Sequence, residues 1–184
     1  MCIRDRFHVS EAFPEHAPPM PEVPMPELLL SSAEVLSGVD GADVEYWSHG
    51  RSFDMRHVPG SVYLEIEGER TAHQAVWVRA FDRLDDDPRT HQLAIAYVCD
   101  YTILEPVLRV LGLPWRTEGL VTASLDHAMW FHTAARADEW LLYAQESASI
   151  SDGRGLGLGR FYTRDGRLVA TVAQEGMIRP GRPL

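Results

Sequence analysis

The chain has no lysine: all 17 of its basic residues are arginine. Arginine binds phosphate in a fixed two-pronged geometry that a point-charge lysine cannot match. Positive charge is also scarce, since 27 acidic residues leave a net charge of −10 and an isoelectric point near 5.2. That excess argues against general nucleic-acid binding and against docking on an anionic membrane. Cysteine occurs twice, as Cys2 and Cys99, too few for a disulfide framework or a thiolate zinc site. A reducing compartment is expected. No apolar run approaches the ~18 residues of a membrane span. Met1 to Ser10 lacks the apolar stretch of a signal peptide, and the last three residues, Arg-Pro-Leu, are not a peroxisomal address. The expected location is the cytoplasm.

What is present is ordinary for a folded domain. The chain has 184 residues, 45% hydrophobic and 24% charged, a globular composition. A chain of this length buries roughly 70% of its unfolded surface. Residues 13–26 carry six prolines, which exclude helix and ladder and predict an extended, semi-rigid linker. Leu28 to Val35 can form a short helix before the Gly38–Gly41 break.

The pattern changes from about residue 45. Residues 52–58 and 75–82 read as strands. Asp87 is a good N-cap and Pro88 suits the first helical position. The run Leu93-Ala94-Ile95-Ala96-Tyr97-Val98 predicts a helix buried on most sides. Thr102-x-x-Glu105 has capping-box spacing, so the helix is expected to break near residue 101 and restart, then stop at Gly112 and Pro114. Residues 122–135 alternate as one long strand, with Leu125, His127, Met129 and Phe131 on one side and Asp126, Ala128, Trp130 and His132 on the other. Strands over 139–150, 154–163 and 167–178 follow, the last two joined at Arg164-Asp165-Gly166. The simplest assembly is α+β: a long helix wrapped by an antiparallel sheet whose other face is free.

Several polar residues invite a functional reading. Gly153, Gly155, Gly157 and Gly159 do not open a helix, so they do not make a phosphate loop. At period two they share one strand face and let another backbone, the helix, come close. His127 and His132, five apart, face opposite ways and cannot share a metal; both read as packed or surface residues. Cys99 has an acidic neighbour and reads as a buried structural thiol. Asp100 follows an apolar run on the core helix, where a carboxylate is costly unless paired or functional. It either caps the restarted helix or has a function. Ser124 and Gln174, where apolar strands meet polar residues, read alone as structural strand-end residues.

Four ordered segments resemble the acyl-CoA thioesterase II family of double-hotdog hydrolases. They are Ser124-Leu125-Asp126-His127-Ala128-Met129-Trp130-Phe131-His132 with Glu139-Trp140-Leu141-Leu142-Tyr143; Ala96-Tyr97-Val98-Cys99-Asp100-Tyr101; Gly159-Arg160-Phe161-Tyr162-Thr163-x-Asp165-Gly166-x-Leu168-Val169-Ala170; and Gln174-Glu175-Gly176-Met177-Ile178-Arg179. Together they cover roughly residues 45–180. The resemblance implies a hotdog fold, a long central helix wrapped by a curved antiparallel sheet. It also implies hydrolysis of fatty acyl-CoA to free acid and CoA, with Asp100, Ser124 and Gln174 as the catalytic set. Asp126 is then structural, and no metal or organic cofactor is implied. Arg154, Arg160 and Arg179 are candidates for the CoA phosphates. Family members carry two hotdog units. By that resemblance residues 1–12 are a remnant of a first unit's last strand, 13–44 a Pro-rich linker and 45–184 the C-terminal, catalytic unit. Half a double hotdog exposes a sheet meant to be covered, so a homodimer is expected. Two alternatives remain: an acyl-thioester hydratase on the same fold, which should show an Asp/His pair at the helix, and a non-catalytic acyl-CoA-binding or dimerisation fragment.

Overall fold

The computed structural model describes residues 16–58 and 60–181. Residues 1–12, read above as a strand remnant, lie outside that set.

Among the described residues seven antiparallel strands form one sheet. They are β1 (Phe53–Val58), β2 (His73–Ala80), β3 (Val121–Ser124), β4 (Ala128–Phe131), β5 (Leu141–Ser151), β6 (Arg154–Thr163) and β7 (Leu168–Arg179). The order is β1-β2-β5-β6-β7-β3, and β4 also pairs with β7. The helices are α1 (Ser32–Val35), α2 (Ala42–Glu45), α3 (Pro88–Cys99) and α4 (Glu105–Leu111). The expected α+β arrangement is therefore present, with α3 and α4 laid against one face of the curled sheet.

The start of α3 follows its sequence signals. Asp87 accepts from the Arg89 N–H at 3.0 Å and Pro88 occupies the first turn, which satisfies a donor the helix itself cannot. The helix breaks near residue 101 and restarts, as expected. The chain turns after Cys99 and restarts at Glu105 without a side-chain cap. The predicted capping box is absent because both of its residues face inward. Thr102 Oγ1 accepts from Gln145 Nε2 at 2.6 Å. The fully buried Glu105 carboxylate meets His57 Nε2 at 3.1 Å and accepts from Trp115 Nε1 at 3.2 Å. A carboxylate turned toward those partners cannot also cap a helix.

Glycines let this α3–α4 junction sit on the sheet. A Cβ at Gly155 would lie 2.5 Å from Val107 Cγ1, one at Gly157 would run into the Ile103 carbonyl oxygen, and one at Gly176 would lie 2.6 Å from Leu104 Cδ1. The close approach read from the glycine series thus holds for Gly155 and Gly157. Gly159 instead makes room for the Tyr143 ring, and Gly153 lies in the β5–β6 turn at φ +72°. The core between helices and sheet is built from Ile95, Val98 and Ile103 against Val76, Tyr143 and Phe161, with the last two rings stacked at 4.0 Å.

The other sheet face is not wholly free. Residues 16–25 are extended, as expected, but they lie on the sheet as a strap. Met20, Val23 and Leu29 cover Trp77, Leu142 and Tyr162. Trp77 Nε1 donates to the Pro24 carbonyl at 2.9 Å, Arg56 to the Pro26 carbonyl at 2.8 Å, and Arg164 grips Glu27 with two bonds of 2.6 and 2.9 Å.

The expected strand over 122–135 is two short strands. Ser124 pairs with Gly176 and Ala128 with Ala173, so four steps on one strand oppose three on β7. That extra residue is a β-bulge over Leu125–His127, and it reverses which side chains face inward. The Leu125 N–H donates to the Glu175 carbonyl, and the Glu175 N–H donates to Asp126 Oδ1, both at 2.8 Å. Asp126 thus stands in for a missing backbone acceptor, in keeping with its structural reading.

Candidate active site

The bulge, the end of α3 and the middle of β7 meet at one place. Asp100 is the residue at which α3 ends, Ser124 is the last of β3 and Gln174 lies within β7. Asp100 Oδ1 accepts from Ser124 Oγ at 2.9 Å and from Gln174 Nε2 at 2.6 Å. Gln174 Nε2 also donates to Ser124 Oγ at 2.8 Å. The three residues picked out by resemblance are thus one hydrogen-bonded cluster. Gln174 is buried, while Asp100 and Ser124 are open to solvent. The cost of a carboxylate at this position is offset by two donors, and its exposure leaves it reachable by water.

A fourth side chain joins them. His127 Nδ1 lies 2.7 Å from Gln174 Oε1, and its Nε2 lies 3.9 Å from Cys99 Sγ. Sequence reading set His127 aside as a lone histidine. The bulge turns it onto the helix side, and strict alternation does not show a bulge. His132 does face the other way, with Nε2 2.9 Å from Thr171 Oγ1. Cys99 is buried as expected. Burial, and then the neighbouring Asp100 charge, push its thiol up to about 12, so it is not a thiolate nucleophile at neutral pH.

The three arginines do not reach the cluster. Arg154 and Arg160 alternate with Gly155, Gly157 and Gly159, whose helix-side space is filled, so they occupy the opposite sheet face. Arg154 pairs with Glu175 at 3.4 Å and Arg160 with Glu146 at 3.5 Å. Arg179, at odd spacing from Gln174 on β7, lies on that far face too, and its Nε contacts Met177 Sδ at 3.0 Å. Strand periodicity separates them from Gln174. A cleft lined by Arg79, Trp140, Arg164 and Arg167 likewise shares no residue with the cluster.

Around the cluster the surface is apolar. Leu93 and Tyr97, 72% and 56% exposed, share a helix face with Asp100, and Leu125, 52% exposed, adjoins Ser124 in the bulge. The helix predicted to be buried on most sides instead buries His91, Ile95, Val98 and Cys99 and leaves this stripe open. No helix among the described residues is long and apolar enough to cross a membrane.

The sequence model of the acyl-CoA thioesterase family matches residues 48–177. The chain is 31% identical over 180 residues to acyl-CoA thioesterase 2 of Haemophilus influenzae, covering 94% of this chain and 62% of that protein. It is 45% identical over 109 residues to mouse acyl-coenzyme A thioesterase 8, covering 58% of this chain and 33% of that one. The crystal structure of an acyl-CoA thioesterase II from Mycobacterium marinum superposes with a TM-score of 0.69 at 38% identity, over 92% of this chain and 59% of that chain. A hotdog-fold protein from Alicyclobacillus acidocaldarius matches at a TM-score of 0.67 and 21% identity, a likeness of fold. The chain belongs to the acyl-CoA thioesterase family and has its hotdog fold. It spans less than two thirds of the length of these longer relatives.

Proposed function

We propose that this chain hydrolyses fatty acyl-CoA thioesters to a free acid and CoA, with Asp100, Ser124 and Gln174 holding and activating the attacking water. The observation that carries this reading is the convergence of two donors, at 2.6 and 2.9 Å, on one oxygen of a solvent-open carboxylate. A water entering at that carboxylate is oriented by the Ser124 hydroxyl and the Gln174 amide, which lowers the entropy cost of attack. As the water oxygen bonds to the thioester carbon, one of its protons passes to Asp100. The tetrahedral intermediate then expels the CoA thiolate, which takes up the proton held by Asp100. A histidine beside a serine, the usual sign of a covalent nucleophile, is not the arrangement here: His127 contacts Gln174 and Cys99. Among the described residues Asp100 bonds Ser124 and Gln174 rather than a histidine, so it is not in the Asp/His pair that a hydratase would use.

The reading extends to the assembly. A second hotdog unit, from another copy of this chain, covers the apolar stripe beside Asp100, because such patches seldom stay in water. Residues 45–184 then act as the catalytic unit behind a Pro-rich strap. The test is thiol release from a series of saturated acyl-CoAs, beside an Asp100→Asn variant. Loss of the carboxylate should lower kcat by about 10²–10⁴-fold, the usual yield of a positioned general base. An Asp100→Asn chain as fast as the parent refutes the assignment.

A further inference from the structure

The amide of Gln174 can be inserted in two orientations that differ by exchange of its oxygen and nitrogen. Only one puts the NH2 group toward Asp100 and Ser124, as the 2.6 and 2.8 Å bonds require. In the resting site the Asp100 carboxylate favours that orientation by itself. During hydrolysis it cannot. Once Asp100 takes the proton from water it can donate as well as accept, and the Ser124 hydroxyl can always do either. The cue that orients the amide is then lost in mid-reaction. The remaining partner is on the other side of Gln174: His127 Nδ1, 2.7 Å from Oε1.

We propose that His127 is a positioning residue: its Nδ1–H locks the Gln174 amide with NH2 toward Asp100 and Ser124 throughout the reaction. The proposal rests on the reading of Gln174 as part of the water-holding cluster. An amide oxygen facing Nδ1 requires the proton there. The other ring nitrogen faces Cys99 Sγ at 3.9 Å, and a thiol is a weak S–H donor that makes no demand for a second N–H. A doubly protonated imidazole also keeps Nδ1–H, so the lock survives either charge state. The bulge over Leu125–His127 gives the ring this position, and Asp126, bonded to the Glu175 N–H at 2.8 Å, holds the bulge on the strand that carries Gln174.

Two substitutions separate orientation from mere bulk. His127→Ala removes the donor, whereas His127→Asn puts an amide N–H close to where Nδ1 was. The ring is exposed, so neither change hollows the core. In thiol-release assays His127→Ala should lose about 100-fold in kcat, the usual cost of a misplaced reacting group. Its KM should stay within about threefold, since no ground-state contact to substrate is removed. His127→Asn should recover most of that loss. The Gln174 side-chain amide signals, read by nuclear magnetic resonance without substrate, should shift in His127→Ala and return in His127→Asn. Unchanged kcat and unchanged amide signals in His127→Ala overturn the proposal, as does an Asn variant as impaired as the Ala one. If the parent chain releases no thiol, the thioesterase reading fails, and the amide signals still decide the role of His127.

Discussion

Asp100 was the one residue whose cost the sequence made visible, because a carboxylate after an apolar run needs a partner or a purpose. It has both a serine and a glutamine. Gln174 and Ser124 were not distinctive by themselves, since strand-end polar residues are common, and resemblance singled them out. His127 escaped altogether. Its inward turn depends on one extra residue in the strand, and the alternating pattern of 122–135 runs straight through it. The glycines were easier, because a missing side chain has few explanations within a strand. Gly157→Ala should push the Ile103 backbone off the sheet and cost about 1–3 kcal/mol, as overpacking commonly does. A fall in the urea midpoint at unchanged slope will show it.

Among elements, those governed by local chemistry were legible. Asp87 and Pro88 begin α3, and Gly112, at φ +70°, ends α4. Elements governed by distant partners were not. Glu105 has cap spacing but is drawn to His57 and Trp115, and the strap residues are held by Trp77, Arg56 and Arg164. The segment between β4 and β5 is fixed in the same way. The Arg136 fork bonds both oxygens of Asp138 at 2.8 Å, and the Leu84 N–H donates to Asp138 Oδ2 at 2.9 Å. The guanidinium bonds, ahead of the backbone donor, hold the Asp138 carboxyl down at about 2, below its ordinary 3.8. A carboxylate with a depressed folded value stabilises the fold above its unfolded value, and that stability is lost as the pH falls through the folded value. Denaturant midpoints should therefore drop between about pH 4 and pH 2, and Asp138→Asn should flatten that part of the curve. An unaltered slope in the variant would place the acid sensitivity elsewhere.

At the scale of the molecule, the exposed stripe of Leu93 and Tyr97 beside Asp100 is at odds with a net charge of −10. Large apolar patches of this kind mark interfaces. The chain is expected to be a dimer by light scattering at micromolar concentration, and a Leu93→Glu, Tyr97→Glu double variant is expected to be a monomer. A monodisperse parent monomer would remove the second copy from the reading. Because Asp100 lies on the same helix face as Leu93 and Tyr97, dimer loss should also lower thiol release.

By itself the sequence determined the α+β class, the start of α3, the stop of α4, the close approach at Gly155 and Gly157 and the cost of Asp100, because each follows from residues within a few positions of one another. Its motifs further marked the family. The tertiary structure alone decided that Asp100, Ser124 and Gln174 touch, that His127 joins them, and that Arg154, Arg160 and Arg179 face the other side. Those outcomes depend on a one-residue bulge and on the register of β3, β4 and β6 against β7. A single step of register exchanges the two faces of a strand, and composition and spacing along one chain do not fix that step.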